Sequence, residues 1–132
     1  MGNSRVEPRH EEYKKLEIYN YSHKLAVEVH KMSLTLPKFE MFEEGSQIRR
    51  SSKSVCTNIV EGYCLRNYKQ EYLYYLYRAY SECRETIQHL EFLYETGSLK
   101  EKPGKLFLEY SGLSKMIYSF INSVEKTHIS KK

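Results

Sequence analysis

Gln47–Gly62, QIRRSSKSVCTNIVEG, is the stretch from which the fold can be read. Ile48, Ser52, Val55, Ile59 and Gly62 recur at alternating spacings of four and three, which lines small and apolar side chains along one side of an α-helix. Gln47, Arg50, Ser54, Asn58 and Glu61 form a second, polar stripe on another side. A helix with two such seams has two neighbours. The polar stripe reads as a hydrogen-bonded network that fixes the register between helices. In that reading a buried Glu61 needs a cation or several donors, and Arg78 and Arg84 are the candidates, from the same chain or a neighbouring one. The stretch holds no catalytic machinery.

Working outward, each flanking segment repeats the pattern. Upstream, Ile18, Ser22, Leu25, Val29, Met32 and Leu36 make a heptad seam over residues 14–35, and Pro37 stops it. The second helix is expected over 38–62. Glu40, Glu43 and Glu44 favour its N-terminus, Gly45 is its weak point, and Gly62 is placed to end it. Asn67 with Gln70 looks like an N-cap and its reciprocal partner. The third helix, 68–96, carries Leu73, Leu76, Tyr80, Cys83, Ile87, Leu90 and Tyr94, and Gly97 closes it. The fourth, 103–126, begins at Pro103 and carries Leu106, Tyr110, Leu113, Ile117, Phe120 and Val124. Residues 1–13 read as a flexible tail and 127–132 as a frayed end. Four such helices with short connections predict an all-α, antiparallel up-down-up-down four-helix bundle.

A chain of 132 residues is enough for one domain with a core of its own. The longest apolar run, Tyr72–Tyr77, is far short of the roughly 20 residues a membrane helix needs. The N-terminus has no apolar h-region, and the expected location is cytoplasmic. Cys56, Cys64 and Cys83 show no CxxC spacing and fall on or beside apolar stripes, so small buried thiols are expected. Cys56 and Cys83 sit inside helices rather than at an N-terminus that would stabilise a thiolate, and there is no Gly-rich phosphate loop. Glu-x-x-His occurs only at Glu7–His10 and Glu125–His128, near the ends, and His23 and His30 lie about 10 Å apart along one face. No metal, no cofactor and no enzymatic activity are expected.

Tyrosine is the anomaly: 13 residues, with no tryptophan. Tyr72, Tyr74, Tyr75 and Tyr77, with Tyr80, point to all sides of the third helix. One bundle covers only about half of a helix, so the remainder predicts a subunit interface. Arg49, Arg50 and Lys53 cluster on the second helix, while Arg66 and Lys69 flank the next turn beside Tyr63, Tyr68 and Tyr72. Cations interleaved with aromatics suit phosphate contact and base stacking.

The segment Ser54-Val-Cys-Thr-Asn-Ile-Val-Glu-Gly62, preceded by Gln47-Ile-Arg-Arg50, resembles the bacterial four-helix-bundle proteins encoded in intervening sequences of 23S ribosomal RNA genes. Gln47, Arg49, Arg50, Ser54, Asn58, Ile59, Glu61 and Gly62 carry the match, and Cys56 stands where the family pattern has proline. The resemblance favours a continuous second helix. It also implies a homo-oligomeric ring, a pentamer in the related retroelement accessory variability protein, which binds nucleic acid and its reverse transcriptase. The expectation is therefore a non-enzymatic RNA- or DNA-binding accessory protein. The alternative is a protein-binding scaffold whose tyrosine surface docks another protein.

Overall fold

The apolar seams fold as their spacing requires. The computed structural model describes residues 12–130, and the regular structure among them is all helical. A 3₁₀ turn, Glu12–Lys15, is followed by α1 (Glu17–Ser33), α2 (Lys38–Phe42), α3 (Glu44–Cys64), α4 (Lys69–Glu95) and α5 (Gly104–Thr127). The expected N-terminal tail falls outside the described residues as far as residue 11. Glu12 and Tyr13 belong to the 3₁₀ turn, which packs on α1 and α3. Residues 131–132 also lie outside.

α1 and α4 each touch both α3 and α5, so the four long helices close a circuit around one core. Leu25 and Val29 of α1, Ile48 and Ile59 of α3, Leu76 and Leu90 of α4, and Tyr110, Leu113 and Ile117 of α5 are completely buried in it. The third seam drifts most at its end. Leu93 is buried, whereas Tyr94, where a strict seven-residue count lands, is exposed. A straight helix turns every 3.6 residues and drifts off a 3.5 repeat by about 20° per heptad.

The expected second helix is two helices. Glu43, at φ −101° and ψ −99°, leaves the helical conformation between α2 and α3. The buried Glu40 carboxylate accepts the Glu44 N–H and the Ser98 hydroxyl, which holds the break. A Cβ on Gly45 would stand 3.0 Å from the Glu40 carbonyl oxygen, so glycine permits α2 to lie this close.

Gly62 does not end α3. It lies inside the helix, where a Cβ would meet the Tyr75 Cβ at 3.1 Å and the Tyr72 carbonyl oxygen at 3.3 Å. Its role is close approach of α3 to α4. Gly97, by contrast, takes φ +87° just past α4, a conformation that suits glycine.

Asn67 makes no cap. The N-cap of α4 is Tyr68, without a side-chain cap bond, and the Lys69 N–H instead donates to Ser130 Oγ at 2.8 Å. The end expected to fray is tied down: His128 Nε2 lies 2.6 Å from the Arg66 carbonyl oxygen and donates to it.

Candidate nucleic-acid interface

The polar stripe of α3 faces α4 and bonds to it. The hydroxyls of Ser51 and Thr86 are buried and 2.8 Å apart. The Arg50 guanidinium spans Glu82, at 3.4 Å, and Glu85. His89 continues the chain, with Nε2 3.2 Å from Glu85 and Nδ1 2.7 Å from Glu44. Burial alone would lower the Arg50 pKa, but hydrogen bonds to Glu82 and Glu85 outweigh it and hold the guanidinium more firmly charged than usual. Burial alone would raise the Glu85 carboxyl. The bonds from His89 and Arg50 prevail and hold it below its ordinary range.

Further along, Asn58 Nδ2 donates to the Ser54 carbonyl and hydroxyl oxygens at 2.9 and 3.0 Å, and its Oδ1 accepts Arg78 Nε at 3.3 Å. Arg78 thus serves Asn58. Glu61 was expected to be buried and paired, yet it is exposed, as is Gln47. Both lie at the outer edge of the stripe.

Four of the five cations expected to meet phosphate are held within the chain. Arg49 turns inward and donates to Ser33 Oγ and to the Met41 carbonyl oxygen, both at 2.9 Å. Arg50 is bound as above. Arg66 donates to the Tyr63 carbonyl oxygen at 2.9 Å, reaches Glu12 at 3.4 Å and lies 4.1 Å over the Tyr63 ring. Lys69 Nζ donates to the Glu125 carbonyl oxygen at 2.7 Å. Only Lys53 of the five is exposed without a hydrogen-bond or ion-pair partner among the described residues.

The tyrosines also separate. Tyr72 was expected at a subunit contact and is in the core, only 3% exposed. Tyr63, Phe120 and His128 cover its ring, and the helix end that supplies His128 was expected to be frayed. Burial raises its hydroxyl pKa to about 12. Tyr75 is half-buried against Gly62, while Tyr74 and Tyr77 remain exposed.

A different surface brings cations and aromatics together. Between α4 and α5 lies an open groove of about 400 Å³ formed by Tyr80 and Arg84 on one side and by Ser111, Lys115, Tyr118 and Asn122 on the other, with Ser114 and Ser119 completing it. The Tyr80 and Tyr118 rings are 5.6 Å apart. Among the described residues no carboxylate lines the groove. Neither Arg84 nor Lys115 forms a hydrogen bond or ion pair among the described residues. The sequence held a faint signal for this groove, since Tyr80 and Arg84 are four apart and Lys115 and Tyr118 three apart, each pair on one outer helix face. Their meeting across 31 residues, from Arg84 to Lys115, had no local signature.

The thiols divide as well. Cys56 and Cys83 are buried, and burial raises both, Cys83 to about 12. Cys64 is exposed, against expectation, because it sits in the last turn of α3 beyond the packed seam. Among the described residues no group of three or more His, Cys, Asp or Glu side chains is placed to hold a metal ion, and no helix is long and apolar enough to cross a membrane.

Residues 14–119 match a protein-family model described as 23S rRNA-intervening sequence protein. The chain also resembles the crystal structure of a protein with unknown function from the S23 ribosomal protein family of Bacteroides thetaiotaomicron VPI-5482, with a TM-score of 0.72 and 23% identity. The match covers 80% of this chain and 95% of that one, and at this identity it shows the fold alone. No curated protein matches.

Proposed function

The chain belongs to the 23S rRNA-intervening sequence protein family, and from that premise we propose that it is a non-enzymatic nucleic-acid-binding protein acting in the cytoplasm as a ring of identical subunits. Its four long helices form an antiparallel up-down-up-down bundle. The observation that carries the binding role is the α4–α5 groove, where Arg84 and Lys115 flank Tyr80 and Tyr118 without a carboxylate. Two unpaired cations suit phosphate, the hydroxyls and amide suit sugar and phosphate oxygens, and the rings suit bases of a single strand. Arg49, Arg50, Arg66 and Lys69 act chiefly by holding the subunit together.

One subunit carries only +4. Assembly multiplies the field: five copies, the number suggested by the related ring, carry about +20, enough to concentrate a polyanion around the ring. The exposed Tyr74 and Tyr77 supply part of the surface available for assembly.

The test is fluorescence anisotropy of single-stranded RNA and DNA oligonucleotides across a salt series, with light scattering on the same samples. Log affinity should fall linearly with log salt, and replacing Arg84 and Lys115 by glutamine should reduce the slope by about two. No binding at low salt would remove the nucleic-acid role and leave the protein-scaffold alternative. A particle of one subunit's mass would remove the ring.

A further inference from the structure

A second groove, about 600 Å³, opens between α1 and α3. Ala26 and Cys56 form its floor, with Val27 and Val60 beside them. The floor offers water little to bond, because the Cys56 thiol is already 3.1 Å from the Ser22 hydroxyl and bonded to it. Covering such a surface with apolar groups is favourable. The rim is different: among the described residues His23, His30, Lys31 and Lys53 face a single carboxylate, Glu61.

Elsewhere in the same chain are large apolar side chains left exposed. Leu34, Phe39 and Phe42 are 56, 69 and 65% exposed. Phe39 and Phe42 are three apart on α2 and share a face, and the exposed Glu43 follows directly. Exposed Tyr74 and Tyr77 keep a polar tip in water, whereas a phenylalanine ring has none and gains more from an apolar slot. A carboxylate at the edge of the aromatic pair complements the basic rim.

We propose that the α1–α3 groove is the docking site for a second copy of this chain, which inserts Phe39 and Phe42 over Ala26 and Cys56 and sets Glu43 against the rim. Rings of this size, with Leu34 and the groove walls they cover, supply about half of the roughly 1,200 Å² that a stable interface buries. Plug and groove are different patches, so the contact is head-to-tail, the kind that closes into a ring when the rotation permits. The inference rests on the self-association proposed above, not on the nucleic-acid role.

The experiment places the photo-crosslinker p-benzoylphenylalanine at position 42 of the full chain. Irradiation should give a covalent dimer whose adduct maps to residues 19–31 or 53–61 of the other copy. An adduct elsewhere, or no dimer, overturns the docking. In parallel, the doubly substituted Phe39→Ser, Phe42→Ser chain should keep its helical circular dichroism while its mass by light scattering falls to 15.8 kDa. Unchanged mass would overturn the docking and leave self-association standing. A wild-type chain that is itself 15.8 kDa at every concentration would overturn both.

Discussion

Two faces of α4 each meet an arginine beside hydroxyl groups, Arg50 of α3 on one and its own Arg84 on the other, and use it differently. On the α3 side, Arg50 is bound by Glu82 and Glu85, and Ser51 and Thr86 bind each other. On the α5 side, Arg84 stands with Lys115, two tyrosines and several hydroxyls, and no acid among them. Arg84 sits between Glu82 and Glu85 in sequence, yet the 100° step per residue turns it about 160° from the first and about 100° from the second, toward α5. Whether a cation can meet a ligand is decided by the face it occupies and the partners found there, not by the charge of its stretch.

The largest expected effect tests how closely the first face is joined. With the Tyr75 Cβ already 3.1 Å from a Cβ built at residue 62, Gly62→Leu must push α3 from α4. The loss should be about 3 kcal/mol, read as a lower urea midpoint. A midpoint within error of the wild type would mean that this seam is loosely packed. The second face is tested by replacing Arg84 and Lys115 together with glutamine. Stability should move by no more than about 0.5 kcal/mol, while oligonucleotide affinity at low salt should drop about 30-fold, the equivalent of roughly 2 kcal/mol. Unchanged affinity would place the binding surface elsewhere. Thr86→Val returns to the first face. It strips Ser51 of its good buried partner and leaves a 3.4 Å contact to the Ile48 carbonyl oxygen, at a cost of about 1–2 kcal/mol with no change in affinity.

The same contrast explains what could be read in advance. Apolar seams were legible because burial repeats with the helical period: Ile48, Ser52, Val55, Ile59 and Gly62 are all buried. Glycine was ambiguous because it permits both a left-handed turn and a close approach. Gly97 uses the first and Gly62 the second, and the letter is the same. The break at Glu43 depends on Ser98, which bonds Glu40 from more than fifty residues away. The burial of Tyr72 likewise depends on Phe120 and His128. The partners of Arg49, Lys69 and Arg50 lie on other elements, so their engagement was hidden, as was the pairing of Arg84 with Lys115 across the groove. Periodicity is local; the assignment of a charge to the fold or to a ligand is tertiary.

Arg50→Gln should have the smallest effect and the sharpest diagnostic. The Arg50 side chain is 50% exposed, and ion pairs in such settings contribute about 0.2–1 kcal/mol, so less than about 1 kcal/mol should be lost at neutral pH. The pH dependence carries more information. Glu85 is held below its ordinary value of 4.5 by His89 and Arg50 against the effect of burial. A carboxyl depressed on folding stabilises fully above its unfolded pKa and loses that contribution as pH falls through its folded value. The wild-type urea midpoint should therefore include a decline below pH 4.5 that shrinks in Arg50→Gln and persists in part through His89. Curves of identical shape would mean that Arg50 does not hold Glu85 in solution. Oligonucleotide affinity should stay unchanged, because a guanidinium already bonded to two carboxylates has little to offer phosphate. Loss of affinity without loss of stability would reverse the assignment of the two faces.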